Sequence, residues 1–172
     1  MPVAEFGGFR VDTRSDAEIA RWVVSNMGPG LERLAQSITA PRYFIKLCGD
    51  ADDLRAALPA GWGLHTASYF MQADGVPCGG AAIKGYTIDV TRVGMLTQAH
   101  IFSGSGALAA SGHAAETPDA FVYDRIVTEP LHRRKGLGLA IMATLQACKR
   151  HPDSPELLLA TPDGQTLYSA LG

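Results

Sequence analysis

The sequence predicts an α/β protein: a mixed, mostly antiparallel sheet flanked by helices, preceded by a helical N-terminal extension or partial lobe. Three observations predict it. From Tyr86 onward, four runs of strand-forming residues follow one another across short, often glycine-bearing turns, and such short links join antiparallel neighbours. A helical stretch that is apolar on most sides then precedes the apolar run Glu156–Ala160, the pattern of a buried crossover between parallel strands. Before these, the chain mixes helical periodicity with short apolar runs, so residues 1–84 are expected to form a helical or mixed region and 85–172 the core.

In the first region, Asp16–Met27 places Ile19, Trp22, Val23 and Met27 at helical spacing ahead of Gly28-Pro29-Gly30, predicting a helix and its stop. A second short helix is expected over Leu31–Ile38, a strand over Tyr43–Leu47, a helix over Asp52–Leu58 and a strand over Leu64–Met71. Trp22, Trp62 and Tyr69 are read as one core aromatic each. The meander strands are Tyr86–Val93, Met95–Phe102, Ala107–Ala115 and Phe121–Thr128. The helix Gly136–Arg150 carries Leu137, Leu139, Ile141, Met142, Leu145 and Cys148 and ends at His151-Pro152. Thr161-Pro162 opens a last helix, with threonine at the N-cap and proline in the first turn.

The 172 residues fit one sizeable core, and 15 basic against 17 acidic side chains leave a net charge of −2. Nothing here has the basic footprint of a nucleic-acid binder. The most apolar stretch, Gly136–Cys148, is bounded by basic residues and falls short of the roughly twenty residues a membrane span needs. With no export signal at the N-terminus, the cytoplasm is the expected location. Cys48, Cys78 and Cys148 are widely spaced and odd in number, so they are read as buried or free thiols, with neither a disulfide framework nor a metal site.

Chemistry concentrates in Tyr123–Ala140, a strand, a short basic turn and a helix opening on two glycines. The free N–H groups of a helix's first turn attract phosphate oxygens, and glycine lets a ligand approach the backbone. Arg133, Arg134 and Lys135 add positive charge beside Gly136, Leu137, Gly138 and Leu139. The segment matches neither the P-loop nor the dinucleotide fingerprint.

Arg133, Gly136 and Gly138 match the R/Q-x-x-G-x-G/A signature, so the segment resembles the GNAT superfamily of N-acetyltransferases. One strand later, Leu167-Tyr168-Ser169-Ala170-Leu171-Gly172 resembles that family's LYxxLG ending. The resemblance covers about half the chain, Tyr86 to Gly172. It implies a GNAT-type fold that transfers an acetyl group from acetyl-CoA to a primary amine by direct attack, with no metal and no covalent acyl-enzyme. By motif position, backbone groups of Ile126, Val127 and Thr128 bind the pantetheine arm, and N–H groups of Arg134 through Leu139 bind the pyrophosphate, with Arg133 nearby. Tyr168 matches the family's general acid, and tyrosine, with a pKa near 10, is protonated at neutral pH.

The family's frequent asparagine is Thr161 here, and the position of its strand-borne base is Val122. Asp124, two residues on, is the first candidate base, and alternation would put it on the face of Val122 and Ile126; His113 and Glu116, at opposite parity, are the others. The family also continues past this ending with further strands. A core lacking its last strands is therefore expected, and dimerisation would cover the open sheet edge. Two other readings stay open, a catalytically silent coenzyme-A-binding module and a phosphate-binding domain for some nucleotide.

Overall fold

The described residues, 2–13, 15–73 and 83–169 of a computed structural model, form two compact units, Met1–Ala67 and Ser68–Gly172. The boundary lies before 84/85 because the strand following Ala67 belongs to the second sheet. Cys78 and the end of the LYxxLG match, residues 170–172, lie outside the described residues.

The first unit holds β1 (Val3–Glu5), β2 (Gly8–Asp12), β3 (Ala20–Val24), α1 (Pro29–Ser37), β4 (Tyr43–Leu47) and α2 (Ala51–Ala57). Its sheet runs in the order β1-β2-β3-β4, antiparallel except for the parallel pair β3–β4 across α1. The helix predicted over Asp16–Met27 is instead strand β3. Ala20, Trp22 and Val24 are buried and alternate with more accessible neighbours, and ladders to β2 and β4 satisfy the backbone on both sides. Trp22 and Val23 suit either period, so the local pattern does not separate helix from strand. Trp22 donates from Nε1 to Glu5 Oε1 at 2.7 Å, and Trp62 from Nε1 to the Ala35 carbonyl at 3.1 Å.

The second unit comprises β5 (Tyr69–Gln72), β6 (Tyr86–Val93), β7 (Leu96–Ser103), β8 (Leu108–Thr117), β9 (Ala120–Thr128), a 3-10 turn (Pro130–His132), α3 (Leu137–Ala147), β10 (Glu156–Ala160) and α4 (Pro162–Ser169). The sheet order is β5-β10-β9-β8-β7-β6, with β9 and β10 parallel and every other pair antiparallel. Strand β5 fills the outer edge of β10, so the edge expected to be open and covered by a second copy is covered by this same chain. Tyr69, at that edge, is 40% exposed and is not a core aromatic.

Helix α3 packs Leu137, Ala140, Ile141, Met142 and Leu145 with Ala99, Ile101, Ala110, Ala114, Phe121 and Tyr123 of the sheet. Two carboxylates tie its C-terminal end. Glu116, 4% exposed, accepts from the backbone N–H groups of Arg150 and His151 and pairs with Arg92 at 2.6 Å. Despite the desolvation that opposes it, these donors hold its pKa at about 2. Glu116 is therefore a structural carboxylate and not a free base. Glu156 accepts from Tyr123 (2.6 Å), Gln146 (3.0 Å) and Lys149 (3.1 Å).

Candidate functional site

Strand β9 changes partners halfway along. Its parallel ladder to β10 pairs Phe121, Val122 and Tyr123 with Glu156, Leu157 and Leu158 and goes no further. Beyond Tyr123, β9 stays paired only with β8, and β10 runs on against β5. The two parallel strands thus diverge from Asp124 onward, leaving the β10-side edge of Asp124–Thr128 without a ladder partner among the described residues.

The divergence coincides with a bulge. Ser111 faces Val127 and His113 faces Asp124, so two residues of β9, Arg125 and Ile126, stand opposite one of β8, Gly112. Arg125 takes a left-handed conformation, φ 52°. The extra residue reverses the alternation. Phe121 and Tyr123 face α3 before the bulge, and Ile126 faces it after: a side chain at Gly112 would collide with both Ile126 and Ile141. The face shared by Val122, Asp124 and Ile126 in the simple alternation therefore does not exist. Asp124 lies on the face away from α3, exposed and 3.3 Å from Arg125 Nε.

Thr128 leads into the basic turn, whose side chains are mostly committed. Arg133 Nε donates to the Thr128 carbonyl at 3.3 Å, and Lys135 Nζ to the Leu131 carbonyl and the Tyr86 hydroxyl, each at 3.3 Å. The same hydroxyl lies 3.0 Å from His132 Nδ1, with the two rings edge to face. Tyr86 opens β6, distant in sequence, so no local pattern could have paired it with this turn. Arg134, left-handed at φ 60°, has no hydrogen-bond or ion-pair partner among the described residues and keeps its guanidinium free.

Gly136 is the N-cap of α3 at φ 76°, where a glycine avoids the left-handed penalty, and no side chain caps the helix. The first backbone bond within the helix is Ala140 N–H to Gly136 O, so the N–H groups of Leu137, Gly138 and Leu139 have no intrahelical acceptor. Gly138 needs no special conformation, and an added Cβ there would meet only Thr128 Oγ1, at 3.7 Å. The fold itself does not require this glycine. The helix start is thus uncapped and sterically open, beside an arginine without a partner among the described residues, and could hold a phosphate group.

Tyr168 sits on α4, whose N-cap Thr161 accepts from Gly164 N–H through Oγ1 at 3.2 Å. Its ring lies over Gly164, 3.2 Å from where a Cβ would be. It packs on the same cluster as Ile126 and Leu158, and burial raises its pKa further, keeping the phenol protonated. The structure thus brings Ile126–Thr128, the basic turn and the α3 N-terminus together, puts Tyr168 on the α3 side of the sheet and Asp124 on the other. Cys148 caps the far end of α3, half-buried, and Cys48 is exposed; both are free thiols. No helix among the described residues is long and apolar enough to cross a membrane.

No family model and no curated protein matches the sequence. Among solved structures, a GCN5-related N-acetyltransferase from Kribbella flavida superposes on 100% of this chain and 84% of its own, with a TM-score of 0.63 and 15% identity. The chain has the GNAT fold, a mixed, mostly antiparallel sheet flanked by helices.

Proposed function

We propose that this chain is an acyl-CoA-dependent N-acyltransferase that moves an acetyl group from acetyl-CoA to a primary amine. The observation that carries the reading is the divergence of β9 from β10 directly before an uncapped helix opened by Gly136. An extended ligand segment adds to the free edge of Ile126–Thr128 as a strand would. Backbone N–H groups of Arg134 through Leu139 take the pyrophosphate, with Arg134 as the mobile charge and Arg133 and Lys135 bracing the turn.

Acetyl-CoA supplies the activated acyl group. The chain's part is to fix the thioester carbonyl against β9, so rate comes from proximity and backbone polarisation. Tyr168, protonated, gives its proton to the leaving thiolate. Asp124 is the carboxylate on the side from which the amine arrives. The reaction needs no metal, and a cytoplasmic setting would supply the thioester.

A catalytically silent coenzyme-A-binding module is the second reading, favoured by Thr161: the residue replacing the family's asparagine spends its hydroxyl on capping α4. Thermal unfolding with acetyl-CoA, coenzyme A, ATP and NAD tests the binding half. At about 100 times its Kd a ligand stabilises by roughly 2.7 kcal/mol, about 5–10 °C for this length. Acetyl-CoA and coenzyme A should raise Tm, and ATP and NAD should not. Thiol release with an amine panel then separates transfer from silent binding; no shift with either coenzyme A form rejects both.

A further inference from the structure

We infer that His113 is the residue that takes the proton from the acceptor amine, on the sheet face away from α3. The inference rests on the acyltransfer reading above.

His113 is paired with Asp124, the first β9 residue past the end of the β9–β10 ladder and the last before the bulge. Directly opposite side chains in a sheet have Cβ atoms about 5 Å apart, so His113 stands one strand in from where the two parallel strands part. Gly112 faces α3 and so, by alternation, His113 does not. The ring is half-buried, and its Nδ1 is buried with no hydrogen-bond partner among the described residues. A histidine kept for structure would have that nitrogen bonded, since an unmade buried bond costs about 1–3 kcal/mol.

Among the described residues, the charged and titratable groups facing it are Asp124 and Arg125 of β9 and His100 of β7; the uncharged Gln98 is its β7 partner, and α3 lies on the other face. Burial first, then Arg125 and, less, His100, lower its pKa below the usual imidazole value, while Asp124 opposes them. The ring is therefore neutral at pH 7 and holds a lone pair. Asp124, exposed and ion-paired with Arg125, is a carboxylate already engaged, and it attracts the incoming ammonium and steadies the imidazolium.

The protons balance. The ammonium gives one proton to Nε2 of His113, the ring nitrogen that is not enclosed, which passes it to solvent. The freed nitrogen pair forms the C–N bond, the C–S bond breaks, and the sulfur leaves with its electron pair and takes the Tyr168 proton. A second nitrogen proton restores the tyrosine through solvent, and the third stays on the amide.

The test is the pH dependence of kcat/KM for thiol release from acetyl-CoA with primary amines, from lysine peptides to small aryl amines, in the wild type, His113→Gln and Asp124→Asn. The wild type should show an acid limb below about pH 6.5. His113→Gln should lose that limb and about 100-fold in kcat/KM, with its acetyl-CoA Tm shift intact as the check on folding and cofactor binding. Asp124→Asn should move the limb to lower pH, because the one influence raising the His113 pKa is gone. If His113→Gln stays within two-fold with the limb unchanged, the inference fails and the acyltransferase reading stands. A limb that follows Asp124 instead assigns the base there. A wild type that binds acetyl-CoA and acylates no amine overturns the inference and leaves the silent module; one that binds no acetyl-CoA overturns both readings.

Discussion

Gly138 is the residue at which packing and the proposed ligand binding make opposite demands. Alanine at 138 would sit at ordinary contact distance from Thr128 Oγ1 and would bring a helix-propensity gain of up to about 1 kcal/mol. Gly138→Ala should therefore leave Tm unchanged or raised in the free protein while weakening acetyl-CoA about tenfold or more by calorimetry. Equal affinity in the variant would mean that nothing approaches this backbone. At this scale the basic turn with its glycines, and Tyr168, were legible as candidates because each lies in a short contiguous motif. The Tyr86–His132–Lys135 arrangement was not, since it joins residues that only the fold brings together.

Helix α3 is built asymmetrically. Its C-terminal end is held by Glu116, Glu156, Lys149 and Arg92, whose Nη1 donates to the Cys148 carbonyl at 2.7 Å, and its N-terminal end is left with free N–H groups. Against the desolvation that opposes them, the His151 and Arg150 N–H groups and Arg92 hold the Glu116 pKa down at about 2, below the ordinary carboxylate range. A depressed carboxylate contributes stability that is present above the unfolded value and is lost as pH falls toward the folded one. Glu116→Gln should lower stability at pH 7 by about 3 kcal/mol, since it leaves Arg92 without its buried partner. The gap between wild type and variant should narrow as pH falls from about 5 to 2 in urea titrations. A gap constant across that range would show that Glu116 is not the titrating clamp. Most strands of the second unit were readable from runs cut by glycine, but the β9 bulge was not: Arg125 carries it, and nothing marks an arginine as left-handed in advance. That one residue moves Ile126 to the opposite face from Asp124. The misreading of β3 has another cause, an apolar set that satisfies two periods at once until its neighbours in the sheet are known.

Across the whole molecule, the two units share a local pattern, an antiparallel strand pair followed by helix, parallel strand and helix: β2-β3-α1-β4-α2 and β8-β9-α3-β10-α4. They differ where a ligand would enter. In the first unit β3 and β4 stay paired from Ala20↔Tyr43 to Val24↔Leu47, and Pro29 removes an N–H from the first turn of α1. In the second, the equivalent ladder opens after three pairs and the helix starts on glycine. The first unit keeps the scaffold with a closed crevice, and the second carries the proposed site. The filling of the β10 edge by β5 was beyond the reach of local patterns, because strand pairing over that separation is a property of the sheet and not of the segment.

The most direct test of the account is amide hydrogen exchange, residue by residue, with and without saturating acetyl-CoA. Exchange should slow at the backbone N–H groups of Arg134 through Leu139 and along Ile126–Thr128, with β3 and α1 of the first unit unchanged. Binding that leaves 126–139 exchanging as in the free protein, or that protects the start of α1 instead, would contradict it.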